Sequence, residues 1–208
     1  MKILRKQFRY SFTSVVYYII GVNILVFLAQ HMFRNVTFYL AMIPEAVIHG
    51  WVWQVATYMF VHAPRSFTHI LFNMLGLFIF GIQVERRMGS KEFLLYYFVT
   101  GTLAGIASFF VYYFTNTPAI LLGASGAVFA VELAFAAYFP DAIIYIWGII
   151  PIRAPIMVLG FTALELFFSV TGMQSGVAHL THLSGFAAGW LYFLIRFQIN
   201  PWRSFRGR

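Results

Sequence analysis

The hydrophobic positions of this chain gather into six long runs, at about 12–29, 67–84, 93–114, 121–139, 156–170 and 177–195. Each approaches the ~20 apolar residues with which an α-helix, rising ~1.5 Å per residue, crosses ~30 Å of hydrocarbon. Polar residues collect between the runs. Glu85, Arg86, Arg87, Lys91 and Glu92 separate the second from the third, Thr115 to Pro118 the third from the fourth, and Pro140-Asp141 ends the fourth. Residues 171–176 read as a turn before the sixth run. The pattern predicts an all-α, polytopic membrane protein of six transmembrane helices, with 1–208 as one membrane-embedded unit. The stretch 30–66 is apolar but broken by Pro44, Gly50 and Pro64. With Phe38, Tyr39, Trp51, Trp53 and Tyr58 it reads as a long interfacial loop between the first and second spans. Residues 142–151, bracketed by prolines, read as a second interfacial loop. The basic start and first apolar run lack a small-residue cleavage site and are kept as a helix.

Composition sharpens this picture. The chain is 61% hydrophobic and 10% charged, against about 25% charged in soluble domains. Absent cysteine removes thiol chemistry and Cys-ligated metals. The net charge of +8 does not point to nucleic acid, because the basic residues flank the spans. Four at the N-terminus, three after the second span, one after the fourth and four in the tail make twelve of the fourteen Lys and Arg. Only Arg34 and Arg65 fall on the other side. This asymmetry predicts cytoplasmic termini, a multi-pass plasma-membrane protein and contact with anionic lipid.

Three spans carry polar groups at one depth. The second, fourth and sixth all enter from the outer side, and His69, Asn73, Ser125 and His182 lie within roughly 10 Å of that boundary. Buried polar side chains are costly in a membrane and mark function. Taken singly, a serine between glycines fits helix packing, and a histidine or a His–Asn pair at i, i+4 fits an interhelical hydrogen bond. Their coincidence points to a serine protease site. Small residues permit the close approach it needs. Gly126, Ala130 and Ala134 recur at four-residue steps in the fourth span, and Gly185 and Gly189 do so in the sixth.

In order along the chain stand His69-Ile-Leu-Phe-Asn73, Glu85-Arg86-Arg87-Met88-Gly89, Gly123-Ala124-Ser125-Gly126 and His179-Leu-Thr-His182-Leu-Ser-Gly185. Together they resemble the rhomboid intramembrane serine proteases, over about 23–189. The resemblance implies a six-span rhomboid-like bundle with Ser125 as nucleophile and His182 as general base, then acid. It also implies that His69, Asn73 and the Ser125 N–H stabilise the oxyanion, and that Phe129 packs against the base where the family often has Tyr. The chain departs from the family at Trp53-Gln54, where Trp-Arg is common, and in a longer spacing from His62 to His69.

No carboxylate is evident beside His182. Glu45 is the lone outer acid, and Glu132 and Glu165 are expected toward the middle or inner half of their spans, so a Ser–His dyad is the economical expectation. The expected substrate is a transmembrane protein cut near the extracytoplasmic side, with no cofactor and no metal. Three rivals compete: a catalytically dead rhomboid-like protein, a metalloenzyme built on His62, His69, His179 and His182, and a transporter using Glu132 and Glu165. There is no HExxH, and the soluble hydrolase elbow fails at Ala127.

Overall fold

The computed structural model describes residues 3–33, 35–146, 148–172 and 179–206. The expected turn at 171–176 lies outside them from position 173 onward. So do the first two positions of the sixth expected span, and Lys2, Arg34 and Arg208. Helix α1 is Val15–Met32. Short helices follow: α2, Asn35–Leu40, α3, Pro44–Ile48, and α4, Gln54–Thr57, which leads into a 3-10 turn at Tyr58–Phe60. Helix α5, Phe67–Gly76, runs through a π-helical stretch, Leu77–Gly81, into α6, Ile82–Met88. Helix α7 is Ser90–Phe114 and α8 is Ser125–Tyr138. A hairpin of β1, Ile143–Ile146, and β2, Ile150–Arg153, precedes α9, Ala154–Thr171. Helix α10, His179–Tyr192, extends through π-helical Phe193–Phe197 to α11, Pro201–Phe205.

Among the described residues, Val15–Met32, Phe67–Met88, Ser90–Phe114 and Ala154–Thr171 are long and apolar enough to cross a membrane, and Ser125–Tyr138 is a shorter apolar helix. The chain is mostly helical, as expected. The hairpin is the departure. Ile143–Ile146 and Ile150–Arg153 pair as antiparallel strands, Ile143 opposite Arg153 and Ile146 opposite Ile150. Their β-branched residues suit a pleated, half-exposed ribbon.

The starts of α1 and α8 differ from expectation for local reasons. Ser14 adopts a left-handed φ of 57°, which sets the first turn of α1 at Val15. There the Glu85 carboxylate accepts the N–H groups of Val15 at 2.8 Å and Val16 at 3.1 Å, and Ser90 Oγ donates to it at 2.5 Å. An anion on the unpaired donors of a helix N-terminus is stabilising. Residues 121–124 are not helical. Leu121 exchanges backbone hydrogen bonds with Met42, and the Gly123 N–H donates to the Tyr58 carbonyl at 3.0 Å.

Helix α8 is the axis of the bundle. Nearly every residue from Gly126 to Ala137 is buried, so the helix shows no polar stripe. Its small side chains admit α7 and α10 at close range. A β-carbon on Gly185 would lie 1.9 Å from the Gly126 carbonyl oxygen, and one on Gly189 would lie 2.6 Å from Tyr96 Oη. At the other end of α10, Glu92 on α7 accepts from Tyr192 Oη at 2.6 Å and pairs with Arg196. Helix α9 is peripheral and buries only Ala154, Pro155, Met157 and Val158.

Candidate active site

The loop 121–124 delivers the chain into α8 so that Ser125 is the first helical residue. Its own N–H and those of the next residues have no partner within the helix, and they carry the positive end of the helix dipole. Gly123 makes this entry possible. Its φ of +114° disfavours any side chain, and a β-carbon there would sit 2.7 Å from His69 Nε2. The Nε2–Cε1 edge of the His69 ring therefore lies against the backbone two residues before Ser125.

Helix α10 brings His182 to the same place, because the Gly126–Gly185 contact lets the two backbones touch. His182 Nε2 and Ser125 Oγ are 2.7 Å apart. Phe129, one turn along α8, stacks on the imidazole with ring centroids 4.6 Å apart and planes 9° apart. Gly126 and Gly185 lie at this contact, and a β-carbon on Gly189 would meet Ala130 and Tyr96.

Helix α5 supplies His69 and Asn73. The Ala63 N–H donates to His69 Nδ1 at 3.3 Å, so the proton of the neutral ring resides on Nε2, the nitrogen facing Gly123. Asn73 Nδ2 donates to the His69 carbonyl at 2.8 Å, which uses one of its two N–H groups. Ser125, His182, His69, Asn73, Phe129 and Glu132 all line one cavity of about 890 Å³. A second cavity, of about 370 Å³, opens between α5 and α9 and shares Phe72, Phe129 and Glu132 with the first.

Two residues outside the expected dyad and its donors lie at the site. Glu165, expected in the middle or inner half of its span, reaches His182. Its Oε2 is 3.0 Å from His182 Nδ1 and 2.6 Å from His179 Nδ1. The missed signal was direction: α9 leads straight into the start of α10, so a residue toward the C-terminal end of α9 lies level with one near the start of α10. The other is His62. It is fully buried, its ring meets His69 edge to face at 5.2 Å, and neither ring nitrogen has a hydrogen-bond partner among the described residues. Burial, reinforced by His69, pushes its pKa down to about 3, so His62 is a neutral packing element. Among the described residues, no three His, Asp or Glu side chains are grouped to hold a metal ion.

The arrangement can do acyl-transfer chemistry: a hydroxyl beside an acceptor imidazole, N–H donors around it, and room for a peptide. Known proteins resemble this chain in sequence. The family model for the Rhomboid domain matches residues 49–199. The rhomboid protease GlpG of Haemophilus influenzae is 31% identical over 83% of this chain and 85% of its own length. The rhomboid protease AarA of Providencia stuartii is 27% identical over 74% of this chain. The rhomboid-like protease 2 of Toxoplasma gondii is 34% identical over 73%. The chain spans 59% and 52% of the lengths of the last two.

Proposed function

The chain belongs to the rhomboid family, multi-pass intramembrane serine proteases, and from that premise we propose that Ser125 and His182 are its catalytic dyad. The observation that carries this reading is the 2.7 Å approach of Ser125 Oγ to His182 Nε2 at the N-terminus of α8. An alcohol is a weak nucleophile at its own pKa and needs such a base. Ser125 Oγ attacks the scissile carbonyl carbon while its proton passes to His182 Nε2. The new alkoxide is met by the Ser125 N–H, His69 Nε2–H and the free N–H of Asn73, donors held in place before charge develops. His182 then returns the proton to the leaving amine. Water, deprotonated by the same nitrogen, attacks the acyl-enzyme and restores Ser125. Phe129 holds the imidazole plane throughout.

The substrate of this reading is a membrane-anchored protein cut near the extracytoplasmic face. The two cavities supply the route: an apolar opening between α5 and α9, lined by Phe72, Phe161 and Phe168, leads to the polar one. Six crossings complete the topology: α1, the continuous α5–α6 helix, α7, α8, α9 and α10 with its π-helical extension. An even count puts both termini on one face, and the charge asymmetry makes that face cytoplasmic, in the plasma membrane.

Reaction with a serine-directed fluorophosphonate, followed by mapping of the modified residue, tests the proposal. Ser125 should carry the label, and Ser125→Ala should abolish cleavage of a labelled transmembrane substrate in detergent or liposomes. Undiminished cleavage by Ser125→Ala overturns it.

A further inference from the structure

We infer that Glu165 is a positioning residue for His182, a third member behind the serine and the imidazole. For His182 Nε2 to accept the Ser125 proton, the ring's own proton must sit on Nδ1. The opposite tautomer presents a donor to the serine and leaves it inactive. Something must therefore favour Nδ1–H. Nδ1 has no hydrogen-bond partner among the described residues, and the charged group against it is the Glu165 carboxylate at 3.0 Å. The oxygen lies off the line of the N–H bond. Catalytic hydrogen bonds in proteins without substrate are often poorly aligned and tighten in the reacting complex.

The carboxylate is itself held. His179, one turn before His182 on α10, places Nδ1 2.6 Å from the same Oε2. Phe168 covers the His179 ring at 5.6 Å between centroids, and the Glu165 side chain is 16% exposed. The charged and titratable groups around it are His179 and His182 from α10 and Glu132 from α8, which lines the same cavity. His69 lines the first cavity, and no Lys or Arg among the described residues is in the wall of either. The imidazolium formed during attack is thus the charge that Glu165 faces. A fixed carboxylate stabilises that charge without reorganisation. The role rests on the Ser125–His182 proteolytic reading above.

Kinetics on the full chain in detergent, with a labelled transmembrane substrate, test it. Glu165→Ala should lower kcat on the order of 10²-fold, the low end of what a positioned base contributes, with KM little changed. Glu165→Gln keeps the volume and an acceptor but not the charge, so it should fold as wild type and lose kcat, though less than Ala. Glu165→Asp should recover part of the activity lost in Ala. Fluorophosphonate labelling of Ser125 should slow in the same order. If the variants keep wild-type kcat, or lose only KM or thermal stability, Glu165 is a latch between α9 and α10 and the inference fails while the protease stands. If wild type neither cleaves nor labels at Ser125, the proteolytic reading itself fails and the role of Glu165 with it.

Discussion

Gly185 and Gly126 meet backbone to backbone, so that a single methyl group on Gly185 would lie 1.9 Å from the Gly126 carbonyl oxygen. Ser125 precedes one of these glycines, and His182 stands three residues before the other. The hydrogen bond between them is therefore set by how closely α8 and α10 approach.

Gly185→Ala must push those helices apart. Displacements near 1 Å cost about 10²-fold in rate, and overpacking costs about 1–3 kcal/mol. We expect kcat/KM to fall by about that factor, with a lower melting temperature in detergent. Gly160→Ala, inside α9 where an added β-carbon meets nothing within 4 Å, should leave kcat/KM unchanged and, by helix propensity, hold or raise the melting temperature.

The donors around the Ser125 hydroxyl can be removed one at a time. His69→Ala and Asn73→Ala should each lower kcat by about 10²–10³-fold, as for other lost oxyanion donors. Gly123→Ala should do the same with both donors intact, since its methyl group would strike His69 Nε2 at 2.7 Å and its backbone has a φ of +114°. Steady-state kinetics on the three variants check this; a fully active Gly123→Ala would refute the packing of His69 on that glycine.

His62 predicts a pH dependence of stability. In the unfolded chain its ring takes up a proton below the ordinary 6.5, but buried in the fold it does so only near 3. Between these values the unfolded state binds more protons, so stability falls as pH drops from 6.5 toward 3. Above 6.5 neither state is protonated and this residue adds no slope. Thermal melts of wild type and His62→Phe across that range should diverge, with the variant less sensitive to acid.

Glu85 makes a stability prediction away from the site. It is 1% exposed and joins the start of α1 to Ser90. Glu85→Ala would leave those N–H groups unpaired, at a cost of about 2 kcal/mol. The melting temperature should fall, while kcat below the transition stays at the wild-type value. A drop in kcat without loss of stability would contradict this division.

Much of the molecule was legible because lipid imposes strict rules. The apolar runs marked the helices, and residues such as Ser125 and His182 stood out as polar groups where polarity is costly. The small-residue steps of the fourth and sixth runs showed which faces touch. Other features needed three dimensions. Glu165 belongs to the site because α9 runs antiparallel to α10, and its depth must be counted from the C-terminal end of the run. The β1–β2 hairpin was hidden because Ile-rich segments suit a strand or an interfacial loop equally. His62 sits in a segment without period, so only the folded chain shows it against His69. The late start of α8 came from pairing between Leu121 and Met42, which no local pattern records.

That late start has a consequence for the bilayer itself. A helix of fourteen residues is about 21 Å long, well short of the ~30 Å thickness it stands in. The remaining distance is spanned by irregular backbone, which hydrocarbon tolerates only where protein or water surrounds it. In the proposed orientation the abbreviated helix leaves a well in the outer leaflet with the serine at its floor, so a hydrolase can obtain its second reactant without breaching the lipid.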